Sequence, residues 1–175
     1  MKPVLIHTHF HRRKTGVTRS IENVFPFFDE EFESYVYGFN IDGNHINTTK
    51  LKKKLFSDTQ TVVHCHRNNE ILRMLWYRFL GAKFTLVATR HAETKPSALT
   101  KFLLKRVDKV ITLIKSMSEN LGIKNTIVGH GVRVHEFTPK PNVWLKKVDQ
   151  ENIILNAGRV RRAKGQLVLL EAAKV

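Results

Sequence analysis

Histidine is the residue type whose placement in this chain could do chemistry. Of nine histidines, three alternate after the first apolar run as His7, His9 and His11 in VLIHTHFH, and His64 and His66 close TVVHCH. His91 follows Arg90 at the end of FTLVATRH, and His130 precedes Gly131 in NTIVGHG. Alternate residues of a strand share a face, so an H-x-H pair can offer two imidazoles to one ion. Metal-dependent hydrolases use that pattern after an N-terminal strand, with carboxylates added to bridge or orient the metal. Here no Asp or Glu stands at the histidine-bearing run ends; Glu70 and Glu93 come a few residues later. A metal-dependent hydrolase using the H-x-H cluster is therefore the alternative reading.

The second chemistry open to the sequence is anion binding. Gly16 in RRKTGVTRS stands where a strand would turn into a helix, letting the backbone and its free amides approach a ligand closely. One glycine is not the G-x-G-x-x-G nucleotide fingerprint, so an ordinary turn stays open at this point. The sharper element is ILNAGRVRRAKGQLVLLEA, which runs from an apolar stretch through Gly158, Arg159, a basic loop, Lys164 and Gly165 into a helix. A guanidinium that forks two oxygens, a compact ammonium and a helix N-terminus together suit a diphosphate, with a plain basic turn as the competing reading.

These residues need a frame. Short β-rich apolar runs begin at residues 3, 34, 61, 83, 109, 125 and 152, with helical patterns between them. Runs that are continuously apolar, rather than alternating, mark strands buried on both faces of a parallel sheet. Val17, Ile21, Val24 and Phe28 predict one face of a first helix, with Pro26 kinking its last part. Ile71, Leu72, Leu75 and Phe79 predict the apolar stripe of another, closed by Gly81, and Ser116 with Glu119 spell a capping box. The expected fold is α/β, a Rossmann-like doubly wound parallel sheet over residues 1–140. A Pro-bearing linker at 141–151 and the first strand and helix of a second Rossmann-like unit at 152–175 follow it. In such sheets ligands sit at the C-terminal strand edges, where the histidines fall.

Composition narrows the partners. The 175 residues carry 30 Lys plus Arg against 15 Asp plus Glu, a net charge of +15, so an anionic partner is expected. No RNA-recognition signature, zinc-finger spacing or leucine zipper accompanies the basic segments, which counts against nucleic acid. No run approaches the ~18 apolar residues of a membrane span, and the N-terminal run has no signal-peptide cleavage site after it, so the expected location is the cytoplasm. The single Cys65 cannot form an internal disulfide.

Taken together, the ordered motifs resemble the family 4 glycosyltransferases of the GT-B fold, which transfer sugars from nucleotide donors with retention of configuration. GRVRRAKG resembles the G-R-x(n)-K-G element opening their donor domain, and IVGHGVRVHEFTP their N-G-V-D-x-x-x-F-x-P stretch. RRKTGVTRSIENVFP and HCHRNNEILRMLWYRFLGAKFTLVATRH, with GHGVRVHEFTP, resemble bacterial lipopolysaccharide core mannosyltransferases in particular. The resemblance implies a nucleotide-sugar donor, GDP-mannose foremost, and an anionic glycolipid or lipopolysaccharide core acceptor. It implies no metal and no cofactor, because protein cations do the charge stabilisation.

Carried over by position, the resemblance implies that His91 reaches the transferred sugar while Arg159 and Lys164 hold the diphosphate; these three are the expected catalytic residues. Gly16 and Gly131 join Arg159 and Lys164 on the donor side. His9, His11, Thr15, Val17, His66 and Arg67 are expected to face the acceptor. Two departures stand out: the E-x7-E motif of the donor domain does not occur before Val175, and His130 replaces the usual Asn. The expectation is a fragment inactive on its own, peripheral to the inner face of the cytoplasmic membrane, with Trp76, Tyr77 and Phe79 beside Arg73 and Arg78 as a candidate interfacial anchor. A non-enzymatic scaffold for anionic polymers is the third reading.

Overall fold

The computed structural model describes residues 2–132, 134–136, 138, 154–158, 160 and 162–174. The chain divides into two compact units, Met1–Val134 and His135–Val175.

The first unit alternates strand and helix: β1 (Val4–His9), α1 (Gly16–Glu31), β2 (Glu33–Gly38), α2 (Thr48–Leu55), β3 (Thr61–Cys65), α3 (Asn68–Phe79), β4 (Thr85–Arg90), α4 (Ala98–Leu104), β5 (Lys109–Thr112), α5 (Lys115–Leu121) and β6 (Thr126–Ile127). All pairings are parallel, in the order β2-β1-β3-β4-β5-β6. The expected doubly wound parallel sheet is therefore present. Strand order reverses between β1 and β3, and this is the edge at which such sheets open a crevice beyond the strand ends.

The two faces of the sheet differ in chemistry. Val4 and Ile6 of β1, Tyr35 and Tyr37 of β2, and Val63 and Cys65 of β3 join Leu51, Leu55, Met74, Leu86 and Leu103 in one continuous buried cluster. The residues between them face the other way: Val36 packs with Ile21, Phe25 and Ile41, while His7 and His9 meet α1 through Phe25, Phe28 and Thr18. The period of two along a strand thus sorts apolar side chains to one face and histidines to the other. His7, Thr8 and His9 are buried to the last few per cent, so β1 is a buried strand with a polar C-terminal half.

Local chemistry explains the element ends. Asn47 and Ser97 cap α2 and α4 by accepting the N–H groups of Lys50 and Thr100, and Thr18 Oγ1 accepts the Thr15 N–H at the start of α1. Gly81, at φ +94°, stands just past α3 as expected. The capping box expected at Ser116 and Glu119 does not form: Ile114 is the N-cap of α5, Ser116 lies inside the helix and donates to Glu93, and Glu119 pairs with Lys115. Helix α1 runs on past Pro26 to Glu31, and its most buried apolar positions are Ile21 and Phe25, with Val24 and Phe28 half-buried beside them.

Of the stripe expected on α3, Ile71 is buried and Leu75 packs half-buried against the core, whereas Met74 and Tyr77 take the places expected for Leu72 and Phe79. Ile71, Met74 and Tyr77 face the core, whereas Leu72, Trp76 and Phe79 are exposed, Phe79 by 79%. Both sets obey helical spacing. Met74 and Tyr77 belong to the large buried cluster together with the β2 and β3 side chains.

On its outer side, β2 is covered by its own following segment: Asn44 O accepts the Val36 N–H at 2.8 Å, and Ile46 N–H donates to Val36 O at 3.0 Å. Among the described residues no helix is long and apolar enough to cross a membrane. In the second unit, a 3-10 turn (Arg162–Lys164) leads through Gly165 at φ +74° into α6 (Gln166–Ala172). Among the described residues Ile154–Ala157 join no ladder, so the strand expected from residue 152 is not formed there; the expected linker at 141–151 lies outside the described residues.

Gly38 closes β2 at φ +139°, with a Cβ built there 1.9 Å from the His9 carbonyl oxygen. We expect Gly38→Ala to cost at least about 3 kcal/mol by urea unfolding, since neither the backbone conformation nor the β1 carbonyl can accommodate the methyl group.

Candidate functional site

The site begins with Glu70, which stands in the first turn of α3 and is wholly buried. Its Oε2 accepts the His66 N–H at 2.8 Å and the Thr8 hydroxyl at 3.0 Å, and its Oε1 accepts the Phe10 N–H at 3.3 Å. One carboxylate thereby ties the ends of β1 and β3 to α3 across the crevice. Burial pushes its carboxyl above the usual range, opposed by the two backbone N–H donors, the Thr8 hydroxyl and the charge of Arg67.

On the other face of the same strand ends, imidazoles lie in a row. Ring centroids are separated by 5.1 Å from His7 to His64, 4.3 Å from His64 to His66, 5.2 Å from His66 to His91 and 6.0 Å from His91 to His130. His64 Nε2 is 2.7 Å from Thr89 Oγ1, His66 Nδ1 is 3.0 Å from His91 Nε2, and His130 Nδ1 is 3.0 Å from Ser20 Oγ. Burial lowers the pKa of His7 and of His91 to about 4 and holds His64 and His66 well below the ordinary value, helped by the neighbouring imidazoles. The inner rings are therefore neutral at pH 7.

Two cavities flank this row. The larger, about 240 Å³, opens beyond the ends of β3 and β4 and is lined by His66, Arg67, Asn68, Arg90 and His91, with Val17 from α1. The smaller, about 120 Å³, lies between α1 and the sheet, with His7, His64, His66, His91 and His130 on its wall beside Gly131. His66 and His91 border both. Arg67 and Arg90 give the larger cavity two cations, and Asn68 is held by donating to Thr100 Oγ1 at 2.8 Å.

The positions singled out in the sequence fall as follows. Val17, His66, Arg67 and His91 share the larger cavity; Gly131 lines the smaller. Gly16 and Thr15 sit together at the start of α1, and a Cβ on Gly16 would meet nothing within 4 Å. His11 lies outside both cavities, its Nδ1 at 3.1 Å from the Arg13 N–H. His9 is buried against the protein, with Nδ1 at 2.8 Å from Phe39 O and Nε2 at 3.1 Å from Thr18 Oγ1. The three alternate histidines of the first strand therefore do not converge on one point. Lys164 is exposed at the end of the 3-10 turn in the second unit, and Arg159 lies outside the described residues.

Glu70 and Asn68 were not singled out as site residues. The available signal was a Glu in the third position of a helix that follows a histidine-ended strand, a place where a carboxylate meets unpaired backbone N–H groups.

No protein-family model matches the chain. It is 32% identical over 110 residues to the lipopolysaccharide core biosynthesis mannosyltransferase LpsB of Rhizobium meliloti (strain 1021), a match covering 59% of this chain and 31% of that protein. It is 28% identical over 116 residues to the lipopolysaccharide core biosynthesis mannosyltransferase LpcC of Rhizobium leguminosarum bv. viciae, covering 63% of this chain and 33% of that one. The matched region thus spans about a third of the length of these relatives.

Replacing Glu70 by Ala should leave the His66 and Phe10 N–H groups buried without an acceptor. We expect a loss of about 2–4 kcal/mol in urea unfolding, with the His66 amide gaining fast hydrogen exchange relative to the rest of β3.

Proposed function

We propose that this chain is the acceptor-side lobe, residues 1–140, and the opening of the donor lobe, from residue 152, of a retaining family 4 glycosyltransferase of the GT-B type. The reaction we assign to the whole enzyme is transfer of mannose from GDP-mannose to a lipopolysaccharide core or lipid-linked acceptor. The observation that carries this is the likeness to two lipopolysaccharide core mannosyltransferases, in a chain whose histidines and arginines line a cavity at the carboxyl edge of a parallel sheet.

In this reading the larger cavity receives the sugar-bearing ends of the substrates. His91, neutral and bonded through Nε2 to His66, offers its other ring nitrogen to a hydroxyl of the transferred sugar. Arg67 attracts the anionic acceptor, and Val17 with Gly16 and Thr15 forms the wall where donor and acceptor meet. Gly131 lets the backbone approach the donor. Arg159 and Lys164 take up the charge that develops on the departing nucleoside diphosphate, a task that preorganised cations perform without a metal ion. Interactions that strengthen as that charge develops accelerate the reaction, whereas equal binding of donor and transition state does not.

A lipid-linked acceptor gives the surface of α3 a role. Leu72, Trp76 and Phe79 with Phe102 of α4 line an open apolar groove of about 730 Å³, rimmed by Arg73 and Arg106. Apolar rings at the centre and guanidinium groups at the rim suit the boundary of an anionic bilayer, at the cytoplasmic face of the inner membrane.

The test is a donor screen with defined lipid-linked acceptors on a protein extended through a complete donor lobe. His91→Ala and Lys164→Ala should each lower kcat about 100-fold or more, Lys164→Ala with no change in thermal unfolding because the residue is exposed. Absence of transfer from every nucleotide sugar would reject the reading. For the groove, cosedimentation of the protein with phosphatidylglycerol vesicles should fall at least about tenfold in the Trp76→Ser/Phe79→Ser double variant and persist with phosphatidylcholine only weakly.

A further inference from the structure

We infer that His7, His64 and His66 form a binding site for a first-row transition-metal ion of the Zn²⁺ class, at the junction of β1 and β3. This goes beyond the sugar-transfer reading and needs neither donor nor acceptor.

The geometry is the first support. One ring nitrogen from each of the three histidines lies within 4.8 Å of one from each of the others. With metal–nitrogen bonds of about 2.0–2.1 Å, tetrahedral ligation needs roughly 3.4 Å between donors, so the three rings close toward one another when the ion binds. The backbone holds the donors from both strands: His7 and His64 are direct partners in the parallel β1–β3 ladder, and His66 follows two residues on, on the same face.

The second support is independent of that proximity. His7 is fully buried, and neither of its ring nitrogens has a partner among the described residues; His66 Nε2 is likewise buried and without one. Buried polar atoms in folded proteins are almost always satisfied, and an orphan costs about 1–3 kcal/mol. A cation would take up the lone pair of one His7 nitrogen and of His66 Nε2, two of the three orphaned atoms on the wall of this small cavity.

For His64 and His66 the surroundings match what metal-bound imidazoles require, while His7 has no second partner among the described residues. Such a ring has its second nitrogen held by a neighbouring group that fixes the tautomer. His64 Nε2 meets Thr89 Oγ1 and His66 Nδ1 meets His91 Nε2, leaving the opposite nitrogens as donors. The cavity wall contains no carboxylate among the described residues, and Cys65 points into the apolar cluster on the far face. An all-imidazole set selects Zn²⁺, Co²⁺, Ni²⁺ or Cu²⁺ over Mg²⁺ and Ca²⁺. Its fourth position opens to the 120 Å³ cavity, where water or a small anion completes it.

The experiment strips the 175-residue protein with chelator, then titrates it with Co²⁺ and reads the visible absorption of tetrahedral cobalt, with Zn²⁺ added as competitor. We expect saturation at one equivalent, displacement by Zn²⁺ and not by Mg²⁺, and a thermal-unfolding midpoint that rises with Zn²⁺. His7→Phe fills the same space without a ligand and should weaken Co²⁺ binding at least about 100-fold, while His135→Ala, at an exposed histidine, leaves it intact. Should His7→Phe fail to fold, His66→Gln decides the matter by the same readout. Absence of the cobalt band in the wild-type protein, or its survival in the variant that folds, overturns the inference.

Discussion

The carboxylate of Glu70 fixes where the ends of β1 and β3 lie. At the point where strand order reverses, two neighbouring strands send their chains to opposite faces of the sheet, and the backbone N–H groups just past them lose their ladder partners. Glu70 supplies the missing acceptors for Phe10 and His66 and takes the Thr8 hydroxyl as well. The cavity behind His66 keeps its shape because this anion, held in the first turn of α3, sets the height and direction of the residue that forms the wall.

Around that anchor the sheet is chemically two-sided. Side chains directed toward α2, α3 and α4 are apolar and fill a large cluster, whereas those directed toward α1 include His7, His9, His64 and His66. Most of the burial that stabilises the unit comes from the first side, so the second can carry unpaired imidazoles and open volume. A parallel sheet with one face filled by apolar packing and the other by polar side chains beside a cavity explains how a buried strand can contain HTH without unfolding.

Much of this was legible in the sequence. Continuous apolar runs separated by helical patterns specify a parallel sheet, the tendency of ligands to gather at its carboxyl edge singled out His66 and His91, and the family resemblance added Val17 and Arg67; the four share one cavity. The α3 stripe was right at Ile71 and Leu75 and misjudged at Leu72 and Phe79, because Met74 and Tyr77 compete with them at helical spacing and only the neighbouring strands decide between them. The convergence of His7 with His64 and His66 rather than with His9 depends on β3 lying beside β1, which no local pattern encodes. Glu70 was passed over for a related reason: its partners are backbone groups of two strands that spacing does not bring together.

The covering of β2 by its own following segment has a consequence for assembly. Because Asn44 and Ile46 already occupy the outer hydrogen-bonding groups of Val36, a foreign strand approaching from that side finds the middle of the edge already paired. Crowded copies of this chain are thereby hindered from zipping into stacked fibrils through the middle of that border.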